Sequence, residues 1–172
     1  TGPRLMRLSR DAGWAAHLAP ALRGRIRCVT GDSRRLMPRW LRDGRPRVEC
    51  AFIDAGHDGW SVRHDCLAAL RVAADGCSLI FDDYTDRPGY GVKRFVDEVV
   101  APRLPAGAVE ALDTGAWDVT EGGRTAHGMA IVDGAHLTAQ RRQALIAALA
   151  AGGFARRDAL RAAGQRVRHA LG

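Results

Sequence analysis

The chain has 172 residues, 47% hydrophobic and 26% charged, a composition that excludes a disordered chain and a length that lets one domain bury roughly two thirds of its unfolded surface without disulfides or structural metals. Its formal net charge is +7. The excess is arginine spread along the chain, with Lys93 the only lysine and no nucleic-acid motif beside it, so nucleic acid is not the expected partner.

Arg4 to Ser9 reads as a strand, followed by a helix from about Asp11 to Leu22 that carries Trp14, Leu18 and Leu22. Arg25 to Thr30 (RIRCVT), Val48 to Asp54 (VECAFID) and Cys77 to Asp82 (CSLIFD) have the character of strands buried on both faces. Between them, Ser33 to Leu41 has helical spacing despite Pro38, and Asp58 to Val72 puts Trp60, His64, Leu67 and Leu70 on one face. Strands alternating with helices predict a parallel sheet with right-handed crossovers.

A helix from Tyr90 to Val100 follows, with Val92, Phe95, Val96 and Val99 inward and Asp97-Glu98 toward solvent. Trp117 to Thr120 and Met129 to Val132, joined by Glu121-Gly122-Gly123-Arg124, read as an antiparallel hairpin that closes the sheet. Thr138 to Ala151 is a helix with a Thr N-cap and a Gly152-Gly153 stop. Phe154 to Leu171 is a weaker, arginine-rich helix. We expect an α/β domain over residues 1–135 and a helical extension over 136–172 that offers a face for self-association.

No apolar run reaches the ~20 residues that cross a bilayer, and no basic-then-apolar leader opens the chain. Cys28, Cys50, Cys66 and Cys77 lack the spacing of a zinc site or a disulfide scaffold, and three of them lie in strand-like runs where a thiol behaves as a small buried hydrophobe. A reducing cytoplasm, with no membrane partner, is the expected setting.

In an open parallel sheet, ligands bind beyond the carboxyl ends of the strands. Three strands end there in polar residues: Gly31-Asp32-Ser33, Asp54-Ala55-Gly56-His57 and Asp82-Asp83-Tyr84. If the last two are neighbours, their ends lie about 5 Å apart, and Asp54 faces Asp82-Asp83. Crowded carboxylates repel unless a cation neutralises them or one holds a proton. Mg²⁺, which takes carboxylate and water oxygens, is the simplest solution. A substrate hydroxyl on such an ion deprotonates more easily, and His57, three residues past Asp54, is placed to accept the proton near neutral pH. Taken singly, each Asp reads as readily as a helix cap or turn former; the combination carries the signal.

Asp54-Ala55-Gly56-His57, Trp60, Val62, Asp65, the run Asp75 to Tyr84, and Gly91-Val92 together resemble the central block of the class I S-adenosylmethionine-dependent methyltransferases. They are nearest to the group with small-molecule and macrocin-type sugar O-methyltransferases. The resemblance is close over Ile26 to Val100 and implies a Rossmann-like fold, S-adenosylmethionine as cofactor and Mg²⁺ as the ion. It implies Asp54, Asp82 and Asp83 as metal ligands and His57 as general base. Gly31, Asp32 and Ser33 then form the turn beside the adenine, although Asp32 reads equally as a helix cap. Tyr84 stands at the substrate pocket or in packing; His64 reads as a core histidine and Asp65 as a helix-holding residue; His127, His136 and His169 receive no role.

The family's first strand and Gly-rich cofactor loop belong before Arg4 and are absent from these residues, so the domain is expected to be incomplete at its N-terminus and to bind the cofactor weakly in isolation. The leading expectation is a metal-assisted O-methyltransferase acting on a hydroxylated small molecule, a sugar or another natural product. Two alternatives stand beside it: a scaffold module with a basic surface, and another metal-dependent enzyme, such as a hydrolase, using the same carboxylates.

Overall fold

In the computed structural model, the described residues are 31, 33–54, 56–120 and 123–151. The chain forms two compact units, residues 1–32 and 33–172, and every element below lies in the second. The strands expected at Arg4–Ser9 and Arg25–Thr30, the helix at Asp11–Leu22, the helix at Phe154–Leu171, and Asp32 lie outside the described residues.

Helix α1 spans Ser33–Arg42, with Arg39 and Arg42 in its last turn, where cations suit the carbonyl end. Gly44, at φ 63°, ends it in the left-handed conformation. Strand β1 is Val48–Ile53 and helix α2 is Gly59–Val72. Asp58 caps α2 by accepting from the backbone N–H groups of Trp60 and Ser61. Val62, Cys66, Leu67 and Leu70 form its buried face.

Strand β2, Ala73–Phe81, follows without a loop. It starts four residues before the apolar run Cys77 to Phe81, because Ala73 pairs with Val48 across an irregularity that absorbs the turn-like Ala74-Asp75-Gly76. Helix α3 begins at Val92 rather than Tyr90, runs to Phe95, widens to a π-turn over Val96–Val100 and tightens to a 3₁₀ turn over Ala101–Arg103. Pro102 has no N–H to offer the Glu98 carbonyl, so regular α-helical bonding cannot continue there.

Strands β3 (Val109–Thr120) and β4 (Gly123–Val132) form the hairpin, longer than the apolar runs alone suggest. Two extra residues, Thr114 and Gly115, interrupt their pairing between Asp113 and Ala116. The order is β1-β2-β4-β3, with β1 and β2 parallel and the other two pairings antiparallel. This mixed open sheet with its helices is an α/β, Rossmann-like arrangement.

Leu79 and Phe81 of β2 and Ala130 and Val132 of β4 share one sheet face with Val62 and Leu70 of α2 and with Phe95, Val96 and Val100. Helix α4, Ala139–Ala150, adds Leu145 and Leu149 to the same core. Arg142 of α4 ties it to the start of β2, donating to the Ala73 carbonyl and, at 3.0 Å, to Asp75.

Strand β1 departs from the expected burial on both faces. Cys50 is exposed and Phe52 is 54% exposed, so Cys50 is not the buried thiol that its apolar run suggests, whereas Cys66 and Cys77 are buried. The described helices cover the face that carries Ile53, and β1 is the edge of the described sheet. Among the described residues, no helix is long and apolar enough to cross a membrane.

Candidate active site

The parallel pairing of β1 with β2 places Ile53 opposite Phe81, so the two strands end together and release Asp54 and Asp82-Asp83 at the same edge. The Asp82 N–H donates to the Ile53 carbonyl at 3.1 Å and holds the two exits in register. Asp83 then turns away with φ 55°, the only left-handed non-glycine among the described residues. Asp tolerates that region better than most residues, and strain of this kind concentrates at functional sites.

The turn aims the Asp83 carboxylate at two histidines. His57 Nδ1 contacts Asp83 Oδ2, and His127 Nδ1 lies 3.3 Å from Asp83 Oδ1. An ionised carboxylate only accepts, so in the neutral rings both Nδ1 atoms carry the hydrogen and Nε2 carries the lone pair. Tyr90 stacks on His57 at 4.8 Å between ring centroids and meets His127 edge-on at 6.2 Å. Arg87 packs its guanidinium over the outer part of this group, 5.0 Å from the Tyr90 ring centre. The Gly91 N–H donates to the His57 carbonyl at 2.7 Å, which fixes the His57 loop to the start of α3.

Asp54, His57 and Asp83 each offer a donor atom, and these atoms lie within 4.8 Å of one another. Burial of its carboxyl pushes Asp54 above the usual carboxylate range; Asp82 and Asp83 push it further, while His57 pulls it back. The two carboxylates suit a hard divalent cation, while the one lone pair of His57, on Nε2 when Nδ1–H faces Asp83, can either join such an ion or accept a proton, not both. Asp83 can contribute while held by both histidines, since each oxygen keeps a further lone pair. Asp82 stands beside this set and acts on Asp54 through its charge, but it is not among the three converging donors.

His127 is the residue that sequence reasoning missed; leaving it without a role is corrected here by its contact with Asp83. It belongs to β4, and the hairpin register brings it there. The Tyr84 N–H donates to the Gly128 carbonyl at 2.9 Å, and the Thr85 hydroxyl donates to the Ala126 carbonyl at 2.8 Å, so the chain after Asp83 clasps β4 on either side of His127. Opposite, the hydroxyl of Thr114 in the interrupted stretch of β3 donates to the His127 carbonyl at 2.8 Å. A cavity of about 570 Å³ opens beside it, lined by Tyr84, Lys93, Leu112, Arg124 and His127 among others.

The residues expected at the cofactor are placed less fully. Asp32 lies outside the described residues, and Gly31 is exposed. Ser33 donates its hydroxyl to Asp65 at 2.5 Å, linking the start of α1 to α2. Both line a second cavity of about 270 Å³, with Asp54 at its rim and Met37, Val48, Phe52 and Ile53 as apolar walls. His64 makes an edge contact with Trp60 at 4.3 Å, on the face the helical spacing gave it. Tyr84 lines the larger cavity and donates to Asp97.

Residues 4–84 match the family described as Methyltransferase domain (Methyltransf_24). An O-methyltransferase from Bacillus cereus, solved in complex with SAH, is 21% identical, covers 61% of this chain and 49% of its own, and superposes with a TM-score of 0.39. A protein from Klebsiella pneumoniae, assigned provisionally as an O-methyltransferase, is 27% identical, covers 51% of this chain and 41% of its own, with a TM-score of 0.31. The chain thus spans about half the length of these solved structures or less. No protein of curated function matches it. Residues 4–84 therefore carry the methyltransferase-domain signature, and both Asp54-His57 and Asp82-Asp83 fall inside that stretch.

Proposed function

We propose that this chain is the catalytic part of an S-adenosylmethionine-dependent O-methyltransferase whose acceptor is a hydroxylated small molecule, a sugar or another natural product. The observation that carries the proposal is the meeting of Asp54 and His57 with Asp83 at the carboxyl edge of a parallel strand pair, inside the segment that matches a methyltransferase domain. The match to the family supports the cofactor. The 270 Å³ cavity supports it further: its apolar wall beside Ser33, Asp54 and Asp65 suits a purine ring whose amino group donates hydrogen bonds.

In this reading the acceptor enters the 570 Å³ cavity and presents its hydroxyl near His127 and Asp83. The methyl group passes in line from the sulfonium to that oxygen: the C–O bond forms as the S–C bond breaks, and the hydroxyl proton leaves. Mg²⁺ or another divalent ion, held by Asp54 and Asp83, would supply polarisation of the hydroxyl. His57, oriented through Nδ1 by Asp83, accepts the proton at Nε2. Much of the rate then comes from positioning, because the sulfonium is already an activated donor.

The deciding experiment is calorimetric titration of the full-length protein containing these residues with S-adenosylmethionine, with and without Mg²⁺. Binding in the micromolar range is expected, strengthened or unchanged by the ion. No heat under either condition overturns the reading. Binding without any effect of divalent ions on labelled methyl transfer would leave the methyltransferase and remove the ion.

A further inference from the structure

Two polar or charged side chains are buried among the described residues, Thr85 at 4% exposure and Arg63 at 5%. Thr85 is satisfied, since its hydroxyl donates to the Ala126 carbonyl. Arg63 differs: none of the described residues accepts a hydrogen bond from its guanidinium or sets a carboxylate against it, while its nitrogens are not among the described side-chain atoms sealed from solvent without a partner, so they keep an opening to the outside. A guanidinium carries five N–H donors and stays charged, so one largely covered by protein and without a protein acceptor gains from an anion placed against it. Burial lowers its pKa with no compensating acid.

Arg63 sits on α2, one residue beyond Val62 of the buried face, and lines a cavity of about 350 Å³ framed by α1, α2 and α4. Among the described residues its polar lining is His64, Arg71 and Arg63 itself, and the rest of the wall is apolar, with Met37, Leu67 and Leu149 its largest members. Among the described residues that line it, none is acidic. The cavity therefore offers Arg63 and Arg71 beside an apolar wall, and it borders the cavity that holds Ser33 and Asp54, with which it shares Met37 and Ala68.

We propose that this cavity is a binding site for a small organic carboxylate, with Arg63 and Arg71 taking the carboxylate and the wall of Met37, Pro38, Leu67 and Leu149 taking a short apolar body. Guanidinium and carboxylate match as two parallel N–H···O bonds, which supply the partners that Arg63 lacks. The apolar wall discriminates against inorganic phosphate, whose remaining oxygens would have to be desolvated against it. The inference is independent of methyl transfer and stands on Arg63 and its cavity.

The test is thermal unfolding of the full chain at constant ionic strength, with sodium hexanoate, sodium phosphate and sodium chloride titrated separately. Hexanoate is expected to raise the midpoint saturably by several degrees, because a ligand that binds only the folded state stabilises it; phosphate should do so much less and chloride not at all. Arg63→Met should unfold at or above the wild-type temperature without anion, since it removes a shielded charge and keeps the volume, and should lose the hexanoate response. Arg71→Met should weaken the response several-fold. Equal effects of the three salts overturn the proposal, as does a hexanoate response that survives in Arg63→Met. If Arg63→Met does not fold, Arg63→Gln replaces it, with the same loss expected and the same survival counting against the site. Phosphate matching hexanoate overturns the assignment to a carboxylate with an apolar body.

Discussion

Tyr84 donates its phenolic hydrogen to Asp97, 2.7 Å away on the turn that continues α3, and Lys93 stands over its ring at 5.5 Å from the centroid. Burial, then the hydrogen bond and charge of Asp97, push the Tyr84 phenol up to about 12. The folded state thus holds this proton where the unfolded chain has begun to release it, near pH 10. The stability it contributes is fully present below pH 10 and is lost as pH rises through about 12. The chain has two tyrosines, so the difference in phenolate absorbance between wild type and Tyr84→Phe isolates the transition. Asp97→Asn should bring it down toward the ordinary range; an unchanged transition in that variant would show that Asp97 does not hold the proton.

Gly91 joins the loop that carries His57 to the helical layer. A β-carbon there would lie 2.4 Å from the Gly59 nitrogen and 2.8 Å from its α-carbon, and both are backbone atoms that cannot swing aside. Gly91→Ala should therefore push α3 away from the start of α2 and break the bond from the Gly91 N–H to the His57 carbonyl. We expect a loss of about 1–3 kcal/mol, the usual cost of overpacking. It is measurable as a lower midpoint in urea, together with a shifted His57 ring resonance. Gly89→Ala, two residues away with open space around it but a φ of 88°, should cost only the backbone strain and leave His57 in place.

Phe81 and Phe95 are fully buried, with ring centroids 6.1 Å apart, and they couple β2 to the helix that follows. Phe95→Ala should cost about 3–5 kcal/mol, the range for truncating a core phenylalanine, a large share of the stability of a domain this size. Denaturant unfolding gives the value directly, and a loss below about 1 kcal/mol would mean that the surrounding valines collapse into the space.

Much of this architecture was legible because short-range patterns carry it. Val62, Cys66, Leu67 and Leu70 recur at helical spacing, and Asp58 before them is a cap by residue type. The apolar run Cys77 to Phe81 ends at two carboxylates, so the sequence itself carries the approach of Asp82-Asp83 to Asp54 once β1 and β2 are neighbours. His127 was not legible, because its place depends on the antiparallel register of a hairpin 44 residues beyond Asp83 and on the interruption at Thr114-Gly115. The alternation of buried Gly128, Ala130 and Val132 with less buried His127, Met129 and Ile131 was the available signal. It fixes a face but not which residue of the neighbouring strand that face meets. The burial of Arg63 was equally hidden, since nothing local separates it from the other arginines of the chain.

Because Asp83 takes one histidine on each oxygen, His127 should control the state of His57. Long-range proton–nitrogen NMR on the labelled full chain, at a pH where imidazole is neutral, should show His57 with its hydrogen on Nδ1. His127→Ala leaves Asp83 Oδ1 without that contact and lets the carboxylate turn, so His57 should shift toward the Nε2–H form. His127→Asn, whose amide also donates, should restore the wild-type pattern. A His57 signal that stays the same in His127→Ala would show that the second histidine does not act through Asp83.

Asp83 itself sets charge against backbone strain, and three substitutions separate the two. At φ 55° a side chain with a β-carbon is strained, glycine is not, and Asn is tolerated because its short polar group bonds locally. Asp83→Asn should therefore melt highest of the three. Asp83→Gly loses the contacts to His57 and His127 and gains freedom in the unfolded chain, so it should fall below Asn. Asp83→Ala has the same losses and keeps a strain of about 1–2 kcal/mol, so it should melt lowest. If Asp54 and Asp83 hold the proposed ion, all three should weaken its binding by calorimetry, because each removes the Asp83 carboxylate. Equal melting of the Gly and Ala variants would mean that position 83 does not hold the left-handed turn in solution. The carboxylate would then face the histidines for some reason other than the backbone.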